Sequence, residues 1–354
     1  MNYIGSKLSL LGFLDDSITE VIDKKSKIFC DFFAGTGAVG SHFKKKGFKI
    51  IANDIQYYSY VLNKHYIGNH KEFIFTDLAE EIPELKTLDS EKKKYFVCNY
   101  LSNLKGVSGF IYKNYCLGGT KRKEESRQYF SDENGMKCDA IRQKIEVWKN
   151  SKLINDNEYY FLLTSLIESV DKCANTASVY GSFLKSLKNS AIKPLLLNPA
   201  NLIVNDQEHD IYNEDVNNII KTVKGDILYL DPPYNQRQYA TNYHLLETIA
   251  KYDTPNIYGK TGLREYQDKK SLYCSKPQVK KSFKDLILNA EFKYIFLSYN
   301  NEGLMSSEDI KEIMSLRGEY GIFKKEYNRF KSNNKLKQKS NKTTEYLHYV
   351  ICNK

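Results

Sequence analysis

The sequence lacks the long apolar runs of a membrane protein. No apolar run in the 354-residue chain reaches the roughly 18 residues that indicate a membrane-spanning helix. The first residues, MNYIGSKLSLLGFLDD, also lack the apolar core and the cleavage site of an export signal. We therefore expect a soluble, cytoplasmic protein that is neither exported nor membrane-spanning.

Cysteine and histidine are scattered rather than clustered. The seven cysteines form no C-x-x-C pair, and none lies near one of the six histidines at the spacing of metal ligands. No internal repeat is evident either. This pattern predicts reduced, packed thiols and no metal site.

The first recognisable unit is a strand, a glycine-rich turn, a helix and a second strand. Residues 27–33 are apolar and rich in strand-forming residues, and residues 34–40 form the turn AGTGAVG. A helix over 41–46 ends at Gly47, and the next strand covers 48–54 and ends on an acid. Such a βαβ beginning predicts a parallel, doubly wound sheet.

Helical periodicity dominates from about residue 57 to 195. The best helix covers 159–170, and a shorter amphipathic helix covers 139–149. The apolar face of the shorter helix consists of Ile141, Ile145 and Trp148. We interpret this stretch as a helical domain inserted between two halves of the sheet.

Further strands return the chain to the sheet. They are expected at 202–204, 227–230, 292–299, 321–323 and 346–352. A lysine-rich loop joins the last two of them. The sequence as a whole therefore predicts an α/β fold.

The strand at 227–230 ends abruptly in Asp-Pro-Pro-Tyr. Pro232 and Pro233 fix φ and remove two backbone donors, so the sheet ladder cannot continue through them. The turn holds the carboxylate of Asp231 and the ring of Tyr234 at a strand's carboxyl end, where ligands bind in open α/β sheets. The alternative is an Asp-Pro turn that merely caps a surface strand.

The glycine-rich turn admits competing interpretations. Residues 35–40 match G-x-G-x-x-G, and Asp54 at the end of the next strand could accept two ribose hydroxyl hydrogen bonds. A nicotinamide-dependent oxidoreductase and a bare glycine turn are therefore both alternatives. Asp31 would repel a pyrophosphate but suits the cationic sulfonium and ammonium groups of S-adenosylmethionine. Asp-Pro-Pro-Tyr has no role in hydride transfer but has one in amino-group methylation, which favours S-adenosylmethionine.

Taken together, the motifs resemble the D12, or Dam-like, class of DNA adenine-N6 methyltransferases. They follow the order of the α group of that class: NYIGSK at 2–7, DFFAGTGAVG at 31–40, NDI at 53–55 and DPPY at 231–234. RQYFS at 127–131, DAIR at 139–142 and NQRQY at 235–239 resemble a bacterial subgroup. The likeness covers nearly the whole chain.

The resemblance implies an architecture and partners. The fold would be a Rossmann-like methyltransferase sheet, mostly parallel with an antiparallel final strand, plus an inserted helical target-recognition domain. The cofactor-binding half of the catalytic domain would cover 1–70, the recognition domain 71–195, and the DPPY half with a basic hairpin 196–354. The substrate would be double-stranded DNA, the protein a monomer or weak dimer, and a separate restriction endonuclease is a candidate partner.

The chemistry of adenine suggests roles for the DPPY turn. The N6 lone pair is delocalised into the ring, and Asp231 with the Pro232 carbonyl could accept both N6 hydrogens and localise it. Tyr234 would stack on a base that has left the duplex, because N6 cannot be reached inside the stack. Cytosine N4 is the alternative target, although that chemistry more often goes with SPPY.

The resemblance also implies a set of cofactor residues. The candidates are Tyr3, Lys7, Asp31, Phe33, Gly35, Gly37, Asp54, Asp215 and Asp231. Tyr3 stands where the family often has Trp, a change that keeps a ring for stacking. Asp215 is either a contact for the adenine of S-adenosylmethionine or simply an acid at a helix start.

Basic residues exceed acidic ones by 53 to 43 and concentrate in three polar runs. These runs are 121–123 with nearby Arg127 and Tyr129, 260–281, and 324–342. A run of charge is usually only a solvated face. Beside a base-methylating site, however, three such runs favour contacts with phosphates, and we expect such contacts from Lys335, Lys337 and Lys339.

Overall fold

A computed structural model describes residues 3–328 and 342–353. Most of the third basic run, including Lys335, Lys337 and Lys339, lies outside the described residues. The strands are β1 Ile28–Phe32, β2 Lys49–Asn53, β3 Asp210–Tyr212, β4 Lys224–Leu230, β5 Ile257–Tyr258, β6 Leu263–Arg264, β7 Glu291–Asn300, β8 Gly318–Asn328 and β9 Lys342–Cys352.

Seven strands of the described chain form one sheet in the order β3-β2-β1-β4-β7-β9-β8. Neighbouring strands are parallel from β3 through to β7. Strand β9 runs antiparallel to both β7 and β8. The predicted mixed α/β fold, with a mostly parallel sheet that ends in antiparallel pairing, is confirmed.

Helices of the described chain lie both inside and outside the stretch from about 57 to 195 for which the sequence predicts helical periodicity. They are α1 Leu11–Val21, α2 Ala38–Lys45, α3 Tyr57–Asn63, α4 Ser90–Ser102, α5 Phe110–Tyr115, α6 Leu117–Thr120, α7 Asp132–Asn150, α8 Asp156–Cys173, α9 Asn189–Ile192, α10 Val216–Ile219, α11 Tyr239–Asn242, α12 His244–Lys251, α13 Val279–Asn289 and α14 Ser307–Met314. The two helices expected at 139–149 and 159–170 lie within α7 and α8. None of the described helices is long and apolar enough to cross a membrane.

The chain divides into two compact units. One is mainly helical and contains Lys64–Asp206 and Ala240–Tyr266, together with Tyr3 and Ile4. The other contains the seven-stranded sheet and is built from Gly5–Asn63, Gln207–Tyr239 and the described residues from Gln267 onward. The helical unit thus includes a segment, Ala240–Tyr266, that the sequence-based boundaries placed with the sheet.

The helical unit packs around α7 and α8. Ser131 caps the start of α7, and Asn155 with Glu158 forms a reciprocal capping box at the start of α8. The predicted apolar face of α7 is fully buried, which confirms its orientation: Ile141, Ile145 and Trp148. A short antiparallel ribbon of β5 and β6 belongs to the same unit.

The central strands of the sheet are almost continuously buried. Four consecutive residues at the end of β1 and four at the end of β4 are buried, as expected where helices cover both faces of a parallel sheet. Phe32, Leu228 and Leu230 belong to the main apolar core of this unit. The core holds the carboxyl ends of β1 and β4 in fixed register.

The strand predicted at 202–204 is wrong. Those residues make no sheet pairing, and Val204 is 57% exposed. The strand that pairs with β2 comes later in the chain, at Asp210–Tyr212, with Ile211 opposite Ala52. Apolar, β-branched composition suggested a strand at 202–204, but burial against a neighbouring strand decides which segment becomes one.

The cysteines are packed thiols, as predicted. All seven are free, six of them are buried, and Cys352 is partly buried. Burial raises the pKa of Cys98 to about 12, so this thiol stays protonated near neutral pH.

Candidate active site

The candidate site lies where the order of the sheet reverses. From β1 the chain goes to β2 on one side, whereas β4 lies on the other side of β1. Asp31 in β1 pairs in register with Tyr229 of β4, and Asp231 follows β4 directly. Such a reversal opens a crevice at the carboxyl ends of the strands, which is the usual ligand site of open α/β sheets.

The glycine-rich turn uses backbone conformations that glycine favours. The φ angles of Gly35 and Gly37 are 53° and 76°, and Gly37 is the residue that precedes α2. Phe33 is also left-handed, with φ of 67°, although it carries a side chain. Its ring packs edge-on against Tyr273, with centroids 4.9 Å apart. A strained residue of this kind often marks a functional turn.

Two predicted carboxylates hold this turn and the first turn of α2, which begins at Ala38, earlier than the helix start at residue 41 that the sequence suggested. The Gly35 N–H donates to Oδ2 of Asp54 at 2.8 Å, and the Gly40 N–H donates to Oδ2 of Asp31 at 2.8 Å. The buried amide of Asn63 donates to the Gly35 carbonyl at 3.0 Å. The candidate residues of the turn are therefore brought together with Asp31 and Asp54.

The end of β2 also organises the segment that contains Asp215. The Asn53 amide donates to the Glu214 carbonyl at 3.1 Å and accepts the Glu214 N–H at 3.0 Å. Oδ1 of Asp215 accepts the Asn217 N–H at 2.9 Å and so caps α10. Capping is the structural role that the sequence left open for Asp215.

Asp231 lies in a compact cluster with Lys7, Tyr234 and Glu345. The Lys7 ammonium is 2.9 Å from Asp231 Oδ1 and 3.0 Å from Glu345 Oε1. Lys7 also donates to the Tyr234 hydroxyl, which itself donates to Asp231 Oδ1 at 3.3 Å. Lys7 is 4% exposed and Glu345 is fully buried, so the charges interact with little screening by water.

Burial and charge shift the titration of this cluster. Burial raises the pKa of Asp231 to about 6, with a further rise from Glu345 and an opposing effect from the Lys7 cation. Burial alone would lower the pKa of Lys7, but Asp231, Tyr234 and Glu345 outweigh it and raise that pKa well above its usual value. Burial also raises the pKa of Asp31 to about 8, against the Gly40 hydrogen bond. Perturbed carboxyl groups of this kind are typical of active sites.

The amino-terminal motif fixes the backbone that carries Lys7. Gly5 has φ of 81°, and a Cβ at this position would lie 2.8 Å from the Tyr239 hydroxyl. The backbone then enters a short helical turn, Leu8–Leu10, whose Leu10 is buried. Tyr3 belongs to the helical unit, where its ring stacks on Tyr243 with centroids 4.7 Å apart.

Sequence reasoning missed Glu345 and Asn63. Every second residue of β9 from Thr343 to Leu347 is buried. This alternation was a signal in the sequence, because it places the acid Glu345 at a position that faces the core. Asn63 ends α3, and no pattern in the sequence distinguishes it from an ordinary helical asparagine.

Two residues of the basic runs have structural roles. The Arg127 guanidinium, which is 6% exposed, donates to the carbonyls of Asn114, Gly259 and Lys260. Arg264 is 7% exposed and pairs with Asp253 at 2.6 Å. The expectation of phosphate contacts is therefore not supported for these two, whereas residues 121–123 are exposed in a turn.

Tyr129 is buried as well, and its hydroxyl donates to the Tyr180 carbonyl at 2.7 Å. Because its ring and hydroxyl are both engaged inside the helical unit, it is a packing residue rather than a surface group for DNA. Arg127 and Tyr129 therefore have structural roles inside the helical unit and do not support a contact with DNA.

Comparison with known proteins agrees with the geometry. The model of the D12 class N6 adenine-specific DNA methyltransferase family matches residues 3–313. The Type II methyltransferase M.NlaIII of Neisseria lactamica is 50% identical over 99% of both chains. The Type II methyltransferase M.FokI of Planomicrobium okeanokoites is 40% identical over 99% of this chain and 52% of its own length. The modification methylase StsI of Streptococcus sanguinis is 36% identical over 99% of this chain and 52% of its own, so this chain spans about half of the latter two.

Proposed function

The chain belongs to the D12 class N6 adenine-specific DNA methyltransferase family, and we propose that it is a Type II modification enzyme that takes its methyl group from S-adenosylmethionine. The resemblance carried by the sequence motifs is confirmed by the family match. The match also selects adenine-N6 methylation over the oxidoreductase and cytosine-N4 alternatives. The observation that carries the proposal is the position of Asp231, which follows the carboxyl end of β4 beside the end of β1 that carries Asp31.

The residues around the glycine-rich turn fit S-adenosylmethionine. Asp31 is a buried acid that can hold the cationic methionine end, with Lys7, Phe33, Gly35 and Gly37 as the other candidate residues of that end. The Asp54 carboxylate accepts N–H groups from Gly35 and Gln56 and has further lone pairs for the ribose hydroxyls. When bound, the cofactor supplies the electrophilic methyl group, so the protein supplies orientation and electrostatics.

Asp215 and Tyr3 complete the proposed cofactor set. Asp215 would contact the adenine of the cofactor with the carboxylate oxygen that does not cap α10. Tyr3 would stack on the methionine portion with the ring that now packs on Tyr243. Both assignments come from the resemblance.

Binding of the cofactor should strengthen as pH rises from 6 to 8. The reason is that Asp31, with a pKa of about 8, must release its proton to pair with the ammonium group of the cofactor. We expect calorimetry at pH 6.5 in buffers of different ionisation enthalpy to reveal release of up to about one proton. A heat that does not vary with the buffer would contradict the role of Asp31.

Asp54→Asn provides a matched comparison for the test of Asp31. It removes a negative charge from the part of the proposed cofactor site that would bind the ribose hydroxyls. This variant should bind the cofactor about tenfold more weakly, which corresponds to ~1.4 kcal/mol for hydrogen bonds to a charged acceptor. Its proton release should fall only slightly, because Asp54 is the smallest of the causes that raise the pKa of Asp31. Unchanged affinity would leave Asp54 with a structural role as the acceptor for the N–H groups of Gly35 and Gln56.

The DPPY turn is the proposed site of the target base. Asp231 and the carbonyl of Pro232 would accept the two N6 hydrogens, which localises the nitrogen lone pair and stabilises positive charge that develops on N6. Pro233 has no N–H and stiffens the turn, and Tyr234 would stack on the extruded adenine. The acceptor role requires ionised Asp231, so activity should fall as pH drops through about 6.

The helical unit is the proposed target-recognition domain, for which the sequence indicates bounds of 71–195. Its support is the exposed basic turn at 121–123, because lysine and arginine side chains on a surface suit DNA phosphates. Double-stranded DNA is the proposed substrate, with a restriction endonuclease as a separate partner that cuts the same sequence. We propose a monomer or weak dimer.

One experiment tests the function as a whole. The chain is expressed in a host strain whose own adenine methyltransferases have been deleted, and its DNA is sequenced by a method that detects modified bases. We expect N6-methyladenine at one short DNA sequence. Modified cytosine, or unmodified DNA from a strain that makes the folded protein, would contradict the proposal. Transfer of tritium from labelled S-adenosylmethionine to DNA by the purified protein tests the donor.

A further inference from the structure

A buried glutamate on the last strand shares the lysine that contacts the DPPY aspartate. Glu345 lies in β9, which is separated from β4 by β7, and it pairs in register with Asn300 of β7. The Lys7 ammonium is 3.0 Å from Glu345 and 2.9 Å from Asp231, and Glu345 is fully buried. The three groups therefore form a carboxylate–ammonium–carboxylate row that connects the beginning of β9 to the carboxyl end of β4.

The burial of the Glu345 carboxylate is energetically unusual. A buried carboxylate is strongly unfavourable unless it is paired, and the neighbouring buried positions on the same face of β9 are Thr343 and Leu347. An apolar residue at position 345 would suit the sheet better than an acid does. The ion pair with Lys7 compensates the charge of Glu345, but it also divides the lysine between two acceptors.

We propose that Glu345 is a positioning residue of the methylation reaction, which holds the Lys7 ammonium beside Asp231 and shares its charge. The Asp231 carboxylate then keeps enough acceptor strength for the amino hydrogens of adenine. This inference rests on the proposed role of Asp231 as that acceptor. With the charge of Glu345 removed, Lys7 would form its only ion pair within this cluster with Asp231 and would compete with the amino group for the Asp231 oxygens.

Other charged and titratable groups surround the row of Asp231, Lys7 and Glu345, and they influence how the rate of methyl transfer depends on pH. Asp231 faces Lys7, Glu345 and the Tyr234 hydroxyl, and Lys7 faces Tyr229 in addition. Glu345 raises the pKa of Asp231, whereas Lys7 lowers it. Removal of the Glu345 charge should therefore lower the pKa of Asp231 and extend activity to lower pH, even while the maximal rate falls.

Glu345→Gln tests this proposal, because it keeps the size of the side chain and leaves Lys7 paired with Asp231. The single-turnover rate of methyl transfer is measured from pH 5 to pH 8 (about the range around the pKa of Asp231), with saturating cofactor and DNA. We expect the rate to reach a plateau about tenfold lower than in the wild type. The fall in rate on the acid side of the profile, called the acid limb, should lie at lower pH than in the wild type. Glu319→Gln, an exposed change on the adjacent strand β8, should match the wild type in both.

A purely structural role of Glu345 would lower the folded fraction or the thermal stability and leave the acid limb in place, which would overturn the proposal. If Glu345→Gln yields no folded protein, Glu345→Asp provides the test. This variant keeps the negative charge but increases its distance from the Lys7 ammonium, because the side chain is shorter. We expect this variant to lie between wild type and the glutamine variant in both rate and acid limb. Wild-type values for both would overturn the proposal.

Asp231→Asn, measured in parallel, separates this inference from the proposed function. If the Asp231→Asn enzyme is inactive while Glu345→Gln behaves like the wild type, only the role of Glu345 is wrong. If Asp231→Asn retains the wild-type rate, the acceptor role of Asp231 fails, and the inference about Glu345 fails with it.

Discussion

Asp231→Ala should slow methyl transfer by about a hundred- to a thousandfold, the loss of ~3–4 kcal/mol that follows removal of a preorganised electrostatic group. The physical reason is that adenine N6 is a weak nucleophile whose lone pair must be localised. Without the carboxylate, only the Pro232 carbonyl remains to accept an amino hydrogen. Single-turnover transfer to a DNA duplex with saturating cofactor measures the effect directly.

Cofactor binding must be measured on the same variant, because Asp231 is also a candidate cofactor residue. If Asp231 acts mainly on the base, cofactor affinity should change far less than the transfer rate. Asp16→Ala, an exposed change in helix α1 of the same unit, serves as the matched control and should match the wild type. A near-normal single-turnover rate for Asp231→Ala would refute the acceptor mechanism.

Local patterns explain why so much of the sheet unit could be predicted. The strand, glycine turn and helix around Asp31 carry their own signals, since apolar residues, positive-φ glycines and a helix start all lie within a few residues of one another. Two consecutive prolines end β4 for a reason visible in the sequence alone. The positions of Asp31, Asp54 and Asp231 at strand ends follow from these local rules and from the general topology of α/β sheets.

The remaining features depend on contacts between distant parts of the chain. Lys7 and Glu345 are far apart in the sequence, and their pairing is created when β9 inserts between β7 and β8. The segment at 202–204 has better strand composition than 210–212, yet only the latter finds a partner in β2. Arg127 looks like a surface contact for DNA, but three carbonyls, two of them from the distant residues Gly259 and Lys260, hold it inside the helical unit.

Tyr234→Ala should reduce methyl transfer by roughly ten- to a hundredfold, whereas Tyr234→Phe should retain most of the activity. A base stacked on an aromatic ring gains ~1–3 kcal/mol, and extrusion of the base from the duplex costs a few kcal/mol. Without the ring, the extruded state should be less populated. With 2-aminopurine at the target position, wild-type enzyme should change the fluorescence through unstacking from DNA and restacking on the ring.

The surroundings of Tyr234 give the phenylalanine variant a second, independent signature. The ring packs edge-on against Tyr299, with centroids 5.4 Å apart, and its hydroxyl donates to Asp231. This hydrogen bond lowers the pKa of Asp231, so its loss in Tyr234→Phe should move the acid limb of the rate profile to higher pH. The expected shift is opposite in direction to that of Glu345→Gln, because one variant removes a donor to the carboxylate and the other removes a neighbouring negative charge.

These two readouts separate the ring of Tyr234 from its hydroxyl. The ring should govern the rate plateau and the 2-aminopurine signal, and the hydroxyl should govern only the position of the acid limb. The alanine variant should give a brighter 2-aminopurine signal if the base still leaves the stack, since the ring that quenches it is gone, or no change if it does not. Equal plateaus and equal fluorescence in wild type, Phe and Ala would mean that Tyr234 only packs the turn and that another group holds the base. A large loss of activity in Tyr234→Phe, with the base still extruded, would instead mean that the hydroxyl's contacts with Lys7 and Asp231 control the chemistry.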